Sequence, residues 1–155
     1  MIVVSDTTAL TTLMKCGLEH VLPALYSEVL VPQAVADELL DFHAALPAWC
    51  IVRETPASPL LDDLRAAIDP GEAEAIALAY DHQADLVLLD DKKGRRRAEA
   101  LGLDCLALPA VLVAAKRAGL IASLAEAFAN LGKQGRYGVS ESAAQVLLHS
   151  VGEAG

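Results

Sequence analysis

The chain has 155 residues, of which 54% are hydrophobic and only 4% aromatic, and its formal net charge is −9. This length fits one domain with a full hydrophobic core, and the composition excludes a disordered or fibrous chain. The negative charge argues against a protein that coats nucleic acid, because phosphate contacts need lysine and arginine. No signal peptide or membrane span is predicted, and three widely spaced cysteines favour a reducing cytoplasm over a disulfide framework.

The first half of the chain predicts short strands that alternate with helices. A buried strand over residues 1–5 leads into a helix that Thr7 or Thr8 can cap and that stops near Gly17. A short helix over 18–26, a strand over 28–31 and a helix over 32–42 follow. A weaker strand over 50–52 precedes a helix over 60–68.

The second half continues the alternation and ends in helices. The chain breaks at residues 69–71, and a strong helix covers 72–83. The clearest buried strand covers 85–89, followed by a helix over 94–101 and a strand at 105–106. The remaining helices are predicted over 109–118, 121–131 and 140–151. Strands that alternate with helices predict parallel βαβ units, in one sheet covered by helices on both faces.

Acidic residues directly follow two of the predicted strands. Asp6 follows the first strand, and Asp90 and Asp91 follow the strand over 85–89. In a parallel sheet these positions share one edge, and ligand sites lie there, where the strand order reverses. The alternative for each of them is a helix N-cap, which aspartate also favours.

Glu38 interrupts the apolar side of its helix. It lies three residues after Val35, one before Leu39 and four before Phe42, the residues that form the predicted apolar stripe. A charged group on that stripe needs a partner. We therefore expect Glu38 to face a site rather than solvent.

The helix over 72–83 offers two acidic candidates, Glu72 and Glu74. They are about 200° apart around the helix, so only one can face a given site. We prefer Glu72, which lies in the first helical turn, where a carboxylate is also favoured by the helix dipole. Glu74 stays open as the alternative, as does dipole stabilisation for both.

Four acids at inward positions favour a divalent cation. Clustered carboxylates repel one another, and a hard ion such as Mg²⁺ or Mn²⁺ relieves that repulsion through oxygen ligands. One ion can activate a water while another stabilises the leaving oxygen of a phosphodiester. The predicted metal-ligating and catalytic residues are Asp6, Glu38, Glu72 and Asp90.

Basic residues are concentrated in one window beside this predicted site. They could contact RNA phosphate, or they could simply form the solvated start of a helix, and the sequence favours neither interpretation. The residues are Lys92, Lys93, Arg95, Arg96 and Arg97.

Several short motifs, in this order and spacing, resemble the PIN-domain family, which includes the VapC-like toxin ribonucleases. The resemblance runs from the first residues to about residue 120. Its pieces are Val3-Val4-Ser5-Asp6-Thr7-Thr8, then Val31-Pro32 with Glu38-Leu39, Asp69-Pro70-Gly71-Glu72-Ala73-Glu74-Ala75, Leu88-Leu89-Asp90-Asp91, and Lys116-Arg117-Ala118-Gly119-Leu120-Ile121.

The resemblance implies a three-layer α/β/α fold with a central parallel sheet and a Mg²⁺- or Mn²⁺-dependent endoribonuclease. It also implies an RNA substrate, a homodimer and, for a toxin, an antitoxin partner. Asp6, Glu38, Glu72 and Asp90 would match the family's acids, and Thr7 would support the first of them. The Asp90-Asp91-Lys92-Lys93 run and the Gly71-Glu72-Ala73-Glu74 form depart from the toxin pattern.

Two matters stay open at the level of sequence. We expect a nuclease domain over residues 1–131 and a C-terminal helical extension over 132–155, in which the run from Gly135 to Gly138 and Ser140 could cap the last helix. Alternative functions are a PIN fold kept for protein binding with a weak or inactive site, and a receiver-like signalling module. The second is motivated only by the Asp90-Asp91 pair after a strand.

Overall fold

Five short strands form one all-parallel sheet in the computed structural model, which describes residues 1–153. The order across the sheet is β3-β2-β1-β4-β5, so the direction of winding reverses between β1 and β4. Receiver-like and flavodoxin-like sheets have the order 2-1-3-4-5, and the receiver-like alternative therefore loses its support. The strands are β1 Val3–Ser5, β2 Val29–Pro32, β3 Cys50–Arg53, β4 Leu86–Leu88 and β5 Cys105–Leu106.

Within the described residues, nine helices connect and cover the strands. All the predicted helices are present. The largest boundary differences are the starts predicted at 18 and 121, which lie at Val21 and Leu124 because turns or a cap precede them. The helices are α1 Thr7–Lys15, α2 Val21–Tyr26, α3 Gln33–Phe42, α4 Pro59–Ala67, α5 Pro70–Asp81, α6 Lys92–Ala100, α7 Leu108–Arg117, α8 Leu124–Lys133 and α9 Glu141–Ser150.

Alternate residues along the strands pack into two separate hydrophobic cores. In β1, Val3 packs with the core that contains α1, α2, α7 and α8, while Val4 packs with the core of α4, α5 and α6. In β4, Leu88 packs in the same core as Val3, and Val87 packs in the same core as Val4. Because successive side chains of a strand point to opposite faces, this division makes three layers, and the predicted α/β/α fold is confirmed.

The α3 stripe differs from the prediction at its end. Val35 and Leu39 are buried as expected, but Phe42 is 75% exposed. Phe42 is the last residue of α3, and the chain leaves the helix there in an extended conformation at His43. Its place in the predicted apolar stripe was therefore wrong, and the position of Glu38 must be judged from its own contacts.

The C-terminal residues pack on the rest of the fold. The carboxylate of Glu153 accepts hydrogen bonds from the backbone N–H groups of Leu124 and Ala125, at 2.6 Å and 3.0 Å, and lies 3.3 Å from the Lys116 ammonium. It therefore stabilises the first turn of α8. Residues 154 and 155 of the predicted extension lie outside the described residues.

None of the helices within residues 1–153 combines the length and the apolar character that crossing a membrane would require.

The buried position of α5 gives a direct test of this packing. Ile76 is fully buried, so Ile76→Val should lower the free energy of unfolding by about 0.5–1.5 kcal/mol. Urea unfolding measures this. Val146→Ala on α9 is the control, since Val146 is 69% exposed and its truncation should change stability by less than about 0.5 kcal/mol. Equal losses for both variants would contradict the assignment of α5 to the core.

Candidate metal centre

Asp6 lies at the point where the winding of the sheet reverses. It directly follows β1, and its backbone N–H donates to the carbonyl of Leu88 in β4 at 3.1 Å. Its side chain is 2% exposed, and its Oδ1 accepts from the backbone N–H of Ala9 at 3.1 Å. Asp6 is thus the N-cap of α1, the alternative interpretation, and at the same time a buried carboxylate at the predicted site edge.

A polar pocket of about 220 Å³ opens beside Asp6. Three of the four predicted acids contribute to its wall, together with the predicted supporting residue Thr7, whose hydroxyl oxygen is buried without a hydrogen-bond partner among the described residues. The pocket thus joins side chains from α1, α3 and α5. Its lining residues are Asp6, Thr7, Thr8, Glu38, Asp69 and Glu72.

The two candidate acids of α5, Glu72 and Glu74, have different surroundings. Glu72 lines the pocket, whereas Glu74 accepts from the backbone N–H of Ala34 at 3.3 Å and pairs with Arg65 at 3.2 Å. Glu74 therefore ties α5 to α3 and α4. Because α5 is buried along most of its length, Glu72 and Glu74 both face protein, and only their contacts distinguish them.

Asp69 also lines the pocket, and the sequence analysis did not name it as a site residue. Its Oδ2 accepts from the backbone N–H groups of Gly71 and Glu72 at 3.1 Å and 3.3 Å, so it caps α5. The signal was present in Asp69-Pro70, since an aspartate before a proline at the first helical position is a typical N-cap. The sequence analysis interprets that run as a chain break and as part of a family motif, but not as a cap.

Glu38 is held close to the start of α5. A Cβ atom on Gly71 would lie 2.7 Å from Oε1 of Glu38 and 3.3 Å from Oδ2 of Asp69. Only glycine leaves room for the Glu38 carboxylate in its present position. This contact explains the placement of Glu38 beside the pocket, which the predicted stripe with Phe42 did not.

Asp90 and Asp91, the two acids that follow β4, also have different contacts. Asp91 accepts from the backbone N–H of Gly94 at 2.9 Å and caps α6. Asp90 does not line the pocket, but its charge raises the pKa of Asp6. Oδ1 of Asp90 accepts from the Leu108 N–H at 2.9 Å and from the Tyr137 hydroxyl at 2.6 Å. Its Oδ2 is buried, with no partner among the described residues.

The basic window has two kinds of residue. Arg95 is half-buried and donates to the backbone carbonyl of Asp90 at 3.1 Å, so part of its guanidinium is already used in the fold. The other four side chains are exposed on α6 and remain candidates for contact with a phosphate backbone. They are Lys92, Lys93, Arg96 and Arg97.

Burial and mutual repulsion raise the pKa values of two site carboxyl groups. Burial is the main cause at Asp6, with smaller contributions from the charges of Asp90 and Glu72, and together they raise its pKa to about 7. Burial also raises the pKa of Glu72 to about 7, assisted by the charges of Asp91, Asp69 and Glu38. A cation would relieve both effects.

The donor set fits a hard divalent ion. All the candidate ligands are carboxylate oxygens, and Oδ2 of Asp90 is buried without a partner. Within residues 1–153, no three acidic, histidine or cysteine side chains converge closely enough to enclose one ion by themselves. Mg²⁺ does not require such a cage, because it keeps several waters and takes only one or two carboxylates.

Residues 2–153 match a family model described as PIN domain, so the chain belongs to the PIN-domain family. PIN domains are generally nucleases and typically use divalent metal ions. The match also covers the C-terminal segment, which lies beyond the end of the motif resemblance at about residue 120. A comparison with curated proteins found no match to this chain.

The close contact between Gly71 and Glu38 predicts a specific effect on metal binding. Gly71→Ala should displace the Glu38 carboxylate, because the new Cβ meets its oxygen at 2.7 Å. We expect less thermal stabilisation by millimolar Mn²⁺, with metal-free stability nearly unchanged, since the flexible glutamate can move. Gly132→Ala is the matched control, a helical glycine with nothing within 4 Å. An equal Mn²⁺ response in the two variants would count against a role for Glu38.

The raised pKa of Asp6 predicts how metal-free stability depends on pH. The folded-state pKa of about 7 lies above the ordinary value of 3.8. The stability that the neutral carboxyl group contributes is therefore present below about pH 4 and lost as the pH rises to about 7. Asp6→Asn cannot ionise and still caps α1. In EDTA, its free energy of unfolding relative to wild type should rise between about pH 5 and pH 8, by on the order of a few kcal/mol.

Urea unfolding at both pH values measures this difference. Asp81→Asn, at an exposed position near the end of α5, is the control and should follow wild type. Parallel pH profiles for wild type and Asp6→Asn would show that Asp6 does not titrate in this range.

Proposed function

We propose that this protein is a Mg²⁺- or Mn²⁺-dependent endoribonuclease that cleaves RNA phosphodiester bonds in the cytoplasm. One observation carries the proposal: a carboxylate that is 2% exposed at the switch point of a parallel sheet, with Glu72 facing the same polar pocket. A buried carboxylate with no opposite charge beside it is costly. A cation-binding role accounts for its retention there better than helix capping does, because an uncharged asparagine caps equally well.

The four acids divide into two pairs according to whether a strand or a helix carries them. Asp6 and Asp90 follow β1 and β4, and the sheet and its backbone hydrogen bonds hold them in place. In this proposal they supply the fixed metal ligands. Glu38 and Glu72 come from α3 and α5 and, in this proposal, orient the metal's waters by accepting their hydrogen bonds. When bound, the ion activates a water and neutralises charge on the phosphodiester.

The exposed cations of α6 support an RNA substrate. The chain is acidic overall, with a net charge of −9, so a polyanion can approach only where cations are concentrated. Lys92, Lys93 and Arg96 are exposed at the start of α6, directly after Asp90 and Asp91. A strand of RNA held there lies beside the carboxylates. The half-buried Arg95 donates to the backbone carbonyl of Asp90 with one nitrogen, and its contact with the strand stays a prediction.

A toxin role with an antitoxin partner, and a homodimer, belong to the same proposal through the resemblance to VapC-like toxins. An antitoxin gene in the adjacent reading frame is the test of the toxin role. A measurement of mass in solution tests the dimer.

Cleavage assays with matched carboxylate variants test the activity. Purified protein should cleave RNA in the presence of Mn²⁺, and Asp6→Asn should abolish cleavage. Glu72→Gln should lower the rate by roughly 10–100-fold, the loss expected when a residue that orients the ligands of a metal is removed. Glu74→Gln is the matched control on the same helix and should stay within a few-fold of wild type, because Glu74 is engaged with Arg65 and Ala34.

Two results would contradict the proposal. Cleavage by Asp6→Asn at the wild-type rate would show that the activity does not arise from this site. A folded wild-type protein that binds no Mn²⁺ at millimolar concentration would favour the alternative of a PIN fold that acts as a protein-binding module.

A further inference from the structure

A tyrosine from the C-terminal segment reaches the candidate metal centre. Tyr137 lies in the loop between α8 and α9, 47 residues from Asp90 in sequence, and its hydroxyl donates to Oδ1 of Asp90 at 2.6 Å. This is a direct side-chain contact between the C-terminal segment and one of the four acids. The sequence analysis had assigned this run only a capping role, whereas Ser140 alone caps α9, through the backbone N–H of Ala143.

Tight packing fixes the loop that carries Tyr137. A Cβ on Gly135 would lie 2.8 Å from a methyl group of Thr12 in α1 and 2.9 Å from the carbonyl of Leu131, so only glycine fits there. Arg136 follows with a φ of 52°, in the left-handed region, and the Tyr137 N–H donates to the same Leu131 carbonyl at 2.9 Å. The backbone turn therefore determines where the tyrosine ring can lie.

The hydrogen bonds divide the two oxygens of Asp90 into different roles. Oδ1 accepts from two donors, the Leu108 N–H at 2.9 Å and the Tyr137 hydroxyl at 2.6 Å. A carboxylate oxygen has two lone-pair sites, so Oδ1 has no further capacity. Oδ2 is buried and has no partner among the described residues. With one oxygen held by donors from two different elements, the carboxyl group cannot rotate without breaking a hydrogen bond.

We propose that Tyr137 is a positioning residue that locks the carboxylate of Asp90 through Oδ1 and thereby presents Oδ2 to the divalent ion. The proposal rests on the metal-dependent function proposed above. Hydrogen bonds that orient a metal ligand are worth roughly 10–100-fold in metal affinity or activity when they are removed. A bond that served only to fasten the loop to the domain would affect stability without changing metal affinity.

Two tyrosine-to-phenylalanine variants separate these roles. Tyr137→Phe removes only the hydroxyl that bonds Asp90. Tyr26→Phe is the matched control, because both tyrosines are half-buried against the same hydrophobic core. Titration with Mn²⁺, followed by the electron paramagnetic resonance signal of the free ion, gives the dissociation constant without any need for activity. We expect it to rise roughly 10–100-fold in Tyr137→Phe and to stay unchanged in Tyr26→Phe.

RNA cleavage adds a second readout. At limiting Mn²⁺ the Tyr137→Phe rate should fall, excess Mn²⁺ should restore it, and the KM for RNA at saturating metal should match wild type. Asp90→Asn should not be rescued by excess Mn²⁺, because a ligand oxygen is gone. Metal-free unfolding of both tyrosine variants checks that each is folded at the temperature of the titration.

The outcomes distinguish this inference from the proposed function. An unchanged Mn²⁺ dissociation constant in Tyr137→Phe, with a wild-type protein that cleaves RNA, overturns the inference alone. The same loss of affinity in Tyr26→Phe also overturns it, because the effect would then be general destabilisation. A wild-type protein that neither binds Mn²⁺ nor cleaves RNA overturns both. Weaker Mn²⁺ binding in Tyr137→Phe, without RNA cleavage by wild type, supports the positioning role and contradicts the proposal that RNA is the substrate.

Discussion

The burial of the Asp6 carboxylate between β1 and β4 is the constraint on which the rest of the site depends. Desolvation disfavours the charged form of the carboxyl group at this position. Repulsion by the charges of Asp90 and Glu72 disfavours it further, so the pKa of Asp6 rises to about 7. Hydrogen bonds from the backbone N–H groups of Ala9 and Asp90 lower this pKa and partly compensate. The fold therefore maintains an electrostatically unfavourable group at the one place where a parallel sheet of this order opens between two strands.

The surrounding elements have chemically distinct tasks, although each contributes an acid. Asp69 and Asp91 cap α5 and α6, and Glu74 joins α5 to its neighbours; their carboxylates are satisfied by the protein. Glu72 and Asp90 keep oxygens that the protein does not satisfy or that burial destabilises. Sorting the acids by their contacts separates those that the protein already engages from those that the proposed metal site would use. It also reconciles an acidic chain with the proposed polyanionic substrate, since the unsatisfied charges are those a cation would neutralise.

Much of the fold could be predicted because its signals are local. Apolar runs marked the five strands, and the acids after β1 and β4 followed from the rule for parallel sheets. Helical periodicity was weaker: it placed the exposed Phe42 in a buried stripe, and it could not separate Glu72 from Glu74 on a helix buried along most of its length. The pocket position of Glu38 depends on the missing side chain of Gly71, which a stripe pattern does not register.

Contacts between distant parts of the chain could not be predicted at all. Nothing in the local pattern around Tyr137 points to Asp90, because their contact depends on the turn at Gly135 and Arg136 and on the packing of that turn against α1. The same holds for Glu153 at the start of α8. Such contacts arise only when all the layers are assembled, and one sequence without an alignment contains no trace of them.

The contact between Tyr137 and Asp90 has a consequence for how the protein is made. Asp90 is the last of the four candidate acids in the chain. The Tyr137 hydroxyl that holds its Oδ1 is added 47 residues later. While the polypeptide is being synthesised from its N-terminus, the sheet and its acids can therefore emerge and begin to fold before Asp90 acquires its final hydrogen bond. The arrangement of carboxylates described above is therefore complete only after Tyr137 has been added, and a chain synthesised only as far as Asp90 holds an incomplete centre.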